Sequence, residues 1–174
     1  MVKVKGNLCY QLKNYVLENY DADAFKELAA DVPEFQGLIV SSKQYDLEAY
    51  QKILHAFKEK YGDEAFVGMC RYMAEKQLGG IFGFFIKFVS LEKLVPKVQF
   101  MWSTVFTEGQ VEVLQHDDKV LILRISEFPM SETHLEGIEI YMKALVEIAI
   151  KRQVKSSSKM IDQATSEFTL DLHP

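Results

Sequence analysis

Cysteine is almost absent: Cys9 and Cys70 are the only two in 174 residues, far apart and without partner spacing. That excludes a zinc motif and a disulfide framework, and makes a reducing, cytoplasmic setting the expectation. Long apolar runs are missing as well. The longest, Ile81 to Val89, is interrupted by Gly83 and Lys87 and falls far short of the roughly 20 residues a membrane span needs. The opening, MVKVKGNLCYQLKNY, has no signal-peptide stretch. Positive charge is not in excess: 20 basic against 25 acidic residues leave a net charge of −5, so there is no electrostatic footprint for nucleic acid. The one basic cluster, Lys151, Arg152, Lys155 and Lys159, reads as a complement to a helix end. No nucleophile elbow, phosphate loop, dinucleotide fingerprint or HExxH occurs, so an enzyme is not expected and no acid/base pair can be nominated. The histidines are His55, His116, His134 and His173. None pairs at i, i+4 or lies near a cysteine, so no metal site is expected.

What is present is ample material for one core. With 48% hydrophobic and 26% charged residues the chain is ordinary for a globular protein, and residues 1–174 read as a single domain. Leu8, Leu12, Tyr15 and Val16 share one face of a helix over Gly6–Asn19. Asp21 or Asp23 caps a short second helix, stopped by Pro33, and Gly37–Ser42 reads as a loop or short extended piece. Asp46 suits the N-cap of a helix over Leu47–Tyr61, which Gly62 ends; Asp63 restarts helix through Leu78. IFGFFIKF reads as a central core helix. Ser90 caps the next, with Pro96 producing a kink or a division into two short helices.

After Gly109 the period becomes alternating. Val111, Val113, Val120 and Ile122 flank His116-Asp117-Asp118-Lys119 as a hairpin. A long amphipathic helix covers Ser131 to Arg152, and Val154–Ile161 with Ser166–Leu172 makes a second hairpin. The fold class is therefore α+β: a helical N-terminal region, then β-β-α-β-β with a four-stranded antiparallel sheet, one face on helices and the other in water.

Soft and aromatic side chains concentrate in the middle of the chain. Met and Phe fill irregular cores without any further purpose, but Gly79, Gly80 and Gly83 leave room there for an apolar pocket. The residues nominated to contact a small hydrophobic ligand are Met73, Phe82, Phe85, Met101, Trp102 and Tyr141, with the polar tips of Trp102 and Tyr141 fixing orientation. Cys70, in the same stretch, is either an inert buried thiol or a site for acylation or redox chemistry. His134, near the start of the long helix, is expected to be neutral.

Two segments carry a resemblance. MVKVKGNLCYQLKNYVLENY is similar to the opening of H-NOX (heme–nitric oxide/oxygen binding) domains. LEKLVPKVQFMW through the hairpin, HLEGIEIYMKALVEIAI and the final FTLDL resembles V4R (4-vinyl reductase) domains and a set of uncharacterised bacterial proteins expanded in myxobacteria. With the core subunits of the TRAPP tethering complex, these groups share helices followed by β-β-α-β-β around an apolar pocket. The departures are specific. The H-NOX proximal histidine would fall within about Leu91 to Trp102, which has none. Of the family's Y-x-S-x-R motif only Ser126 matches, in RISEF, Arg124 to Phe128. Heme held in the family manner is therefore not expected, and neither is any other cofactor. V4R domains that bind metal use cysteines near the C-terminal hairpin, and none follows Cys70. In TRAPP subunits a helical cysteine carries an acyl chain, which is what the resemblance implies for Cys70. The resemblance implies a non-enzymatic, bacterial sensing or adaptor domain for a small hydrophobic ligand. Its rivals are a heme-based gas sensor using His55 or His134, and a homodimerising module or one docking a signalling protein.

Overall fold

The computed structural model describes residues 2–21, 23–78 and 91–173. Strand β1 (Lys3–Lys5) leads directly into helix α1 (Gly6–Asn19), whose residues Leu8, Leu12 and Val16 are buried as their spacing predicts. Asp21 Oδ1 accepts from the backbone N–H of Asp23 and of Ala24 at 2.9 and 2.8 Å, opening helix α2 (Ala24–Leu28). A 3-10 turn follows at Pro33–Phe35. Residues 37–42 form a loop, the first of the two readings their sequence allows, and strand β2 (Gln44–Asp46) follows it, pairing antiparallel with β1 through Val4↔Tyr45.

Helix α3 (Leu47–Leu78) is broken at Gly62, where φ is 82° and ψ 177°. That conformation is open essentially to glycine alone. The expected cap by Asp46 is not made: its Oδ1 is buried and lacks a hydrogen-bond partner among the described residues, while its N–H donates to the Glu34 carboxylate. The predicted IFGFFIKF helix and the Ser90 cap lie outside the described residues. Pro96 does divide the next segment, into α4 (Leu91–Leu94), a 3-10 turn (Val95–Lys97) and α5 (Val98–Ser103).

The C-terminal half follows the expected order. Strands β3 (Gln110–His116) and β4 (Val120–Ser126) form the first hairpin. Helix α6 (Glu132–Ile150) is capped by Ser131, whose Oγ accepts from the His134 N–H at 3.3 Å. Strands β5 (Lys155–Asp162) and β6 (Thr165–Asp171) complete one antiparallel sheet in the order β3-β4-β6-β5. The two central strands align Leu123 with Phe168 and Leu121 with Leu170, and these buried side chains make the inner face. On the other face Arg124 pairs with Glu167, which also binds Lys159. A single buried cluster runs from Val4 and Leu12 through Phe57, Phe66 and Trp102 to Ile125, Ile138 and Phe168, so both halves of the chain share one core.

Candidate functional site

Between α3, the α4–α5 segment, α6 and the inner face of the sheet lies a cavity of about 140 Å³. An apolar cavity of about 150 Å³ stays dry and accepts a benzene-sized guest, so this volume is large enough to matter. On α6 the wall includes His134, Gly137, Ile138, Tyr141, Met142, Leu145, Val146 and Ala149. These positions recur every three or four residues and so occupy one helical face. Gly137 lets α6 come close to α3: a Cβ there would sit 3.2 Å from Phe66 Cζ and 3.7 Å from Cys70 Sγ. No charged side chain lines the cavity among the described residues.

Of the nominated contact residues, Met73, Met101, Trp102 and Tyr141 all line this space, as does Cys70. Phe82 and Phe85 fall outside the described residues. One assigned role needs correction. The indole N–H of Trp102 donates to the Glu108 carbonyl at 2.8 Å, so it is spent on holding α5 against the start of β3 and is not free to orient a guest. Trp102 instead belongs to an aromatic stack with Phe106 and Phe128, ring centroids 4.4 and 4.8 Å away. Burial pushes the Cys70 thiol well up from its ordinary range, so the thiolate that acylation or oxidation requires is not populated near neutral pH. Burial likewise raises Tyr141.

His134 is a wall residue that the hydrophobic pattern alone does not single out. It is 2% exposed and ringed by Tyr50, Phe106 and Phe128 at centroid distances of 5.8, 5.7 and 5.8 Å. That apolar surround lowers its pKa from 6.5 to about 3. Its neutrality therefore comes from burial, not from the helix terminus. His55, by contrast, is exposed on α3, facing Thr133 and Glu59, and does not line the cavity. No group of three or more His, Cys, Asp or Glu side chains able to hold a metal occurs among the described residues. Nor is any helix among them long and apolar enough to cross a membrane.

No protein-family model matches the sequence, and no curated protein matches it. Solved structures that resemble it include H-NOX proteins. The K. algicida H-NOX protein in its Fe(II) unliganded form superposes with a TM-score of 0.73 at 9% identity, covering 96% of this chain and 95% of that one. The S. oneidensis H-NOX protein in its Fe(II)NO ligation state gives 0.63 at 14%, over 98% and 99%. A Cs H-NOX mutant gives 0.65 at 12%, over 98% and 97%. The chain therefore has an H-NOX-like α+β fold. At these identities the likeness concerns the fold alone.

Proposed function

We propose that this chain is a non-enzymatic ligand-sensing domain whose apolar cavity receives a small hydrophobic molecule. The observation that carries the reading is the cavity itself: about 140 Å³, bounded by helices and sheet, with Met, Trp and Tyr walls and no charged lining residue among those described. Apolar walls with a few polar groups are what small-molecule sites present.

Heme is the second reading, favoured by the fold likeness to H-NOX proteins solved with Fe(II). The family's manner of holding it does not fit the described wall. The α4–α5 segment presents Leu91, Leu94, Val98 and Met101 to the cavity and no imidazole. Arg124 is committed to Glu167 across β4 and β6, and no cation among the described residues lines the space to meet a propionate. Of the histidines, His134 is the one that lines the cavity, and His55 lies outside it, so an imidazole-ligated heme here would use His134.

Native mass spectrometry of the purified chain, with hemin titration followed by absorption, separates the two. An apolar adduct or saturable uptake of a hydrophobic probe, with colourless protein after hemin, supports the main reading. A Soret band at one heme per chain, lost in His134→Ala, replaces it with the second.

A further inference from the structure

The polar side chains among the described lining residues are Tyr50, Gln77, Thr104, His134 and Tyr141, of which Gln77 and Thr104 pair with each other at 3.5 Å. From His134 to Ala149 the axis of α6 rises about 22 Å at 1.5 Å per residue. At the Ala149 end the surroundings are hydrocarbon: Leu94 packs with Leu145 and Ala149, and Leu121 and Leu170 cluster with Val146. At the other end stands His134.

The tautomer of His134 is set by its neighbour. Gln51 Nε2 donates to the Pro129 carbonyl at 3.0 Å and lies 3.0 Å from His134 Nδ1. A backbone carbonyl only accepts, which fixes the amide NH2 on that side. The same NH2 then donates to Nδ1, so Nδ1 is the bare nitrogen and the ring proton sits on Nε2. Nε2 has no partner among the described residues, on a side chain that is 2% exposed and lines the cavity. With Nδ1 occupied and the side chain lining the cavity, the cavity is where an acceptor for the Nε2 proton can stand.

We propose that the cavity takes an uncharged, chain-like apolar molecule with a carbonyl group at one end, whose oxygen accepts a hydrogen bond from His134 Nε2–H. This rests on the reading of the cavity as a ligand site. A carboxylate is disfavoured because no cation among the described residues lines the wall to offset its desolvation. A carbonyl brings the acceptor that Nε2–H lacks, and the ring's own acceptor, Nδ1, is already taken by Gln51.

The test uses the full chain and three probes of equal length: 2-heptanone, heptanoate and n-heptane. Trp102, the only tryptophan and a wall residue, reports binding by fluorescence. The ketone should bind saturably at pH 7 and heptanoate should not. His134→Phe should weaken the ketone by about three- to tenfold, the range of one net hydrogen bond, and leave n-heptane unchanged. Infrared spectra of the wild-type complex should show the carbonyl stretch at lower wavenumber than in heptane solution. That measurement stands even if the variant folds poorly. Ketone bound without the infrared shift, or a folded variant that loses ketone and heptane equally, overturns the hydrogen-bond assignment alone. Failure of every probe to bind overturns the ligand-site reading and this proposal with it.

Discussion

At the scale of single residues, His134 couples the site to stability. Its pKa is about 3 in the fold against an ordinary 6.5, so between those values the unfolded chain binds a proton that the native chain refuses. Stability should be fully present above about pH 6.5 and fall as pH drops toward 3, by up to about 1.4 kcal/mol per unit from this group. Urea midpoints measured from pH 7 to 4.5 should therefore decline in the wild type, and His134→Phe should flatten that part of the slope. The two thiols give a second residue-scale expectation. Cys9 and Cys70 are both buried, and burial raises both. A thiol reagent at pH 8 should find neither in the native protein and both in urea; rapid native labelling of Cys70 would show that its environment opens. The sequence pointed to Met73, Met101, Trp102 and Tyr141 because soft and aromatic side chains stand out in a list of residues. It could not assign the Trp102 N–H to Glu108, six residues on, because that depends on the path of the turn after α5, nor bring His134 to the cavity, because that depends on how the helices cross.

At the scale of elements, the break in α3 is the most testable local feature. Gly62 has open space around its Cβ position, so an added methyl would meet no neighbour and would act only through backbone strain. Gly62→Ala should destabilise by about 1–3 kcal/mol. Gly37→Ala is the control, since its site is equally open and has no positive φ; it should shift the thermal midpoint little. Both termini of the broken helix were legible, because Gly62 sits between two apolar stripes with helical period. The paired strands β1 and β2 were not legible. Each is three residues long, too short for an alternating pattern to register, and their pairing joins residues some forty positions apart. The last strand was legible because Phe168, Leu170 and Leu172 alternate with polar residues, the period-2 signal of one buried face; in β4 the run Val120-Leu121-Ile122-Leu123 is apolar throughout, and the fully buried positions are Leu121 and Leu123 rather than the Val120 and Ile122 that the pattern suggested.

For the molecule as a whole, the shared core and the cavity make a joint prediction. Trp102 belongs to the cluster that links α1 and α3 to β4, α6 and β6, and it also lines the cavity. If that cluster holds the chain together, Trp102 fluorescence and far-UV circular dichroism should trace one coincident unfolding transition. A ligand that occupies the cavity binds only the native state, so it stabilises by RT ln(1 + [L]/Kd), about 2.7 kcal/mol at a hundred times Kd. For a chain of 174 residues, where about 1 kcal/mol moves the midpoint by roughly 2–4 °C, a saturating cavity ligand should raise Tm by roughly 5–10 °C. Both probes should move together, because filling the space between α6 and the sheet supports the helices and the strands at once. A ligand that shifts the fluorescence transition and leaves the dichroism midpoint in place would locate binding on a locally unfolding segment rather than in the common core, and the cavity between helices and sheet would not be the site.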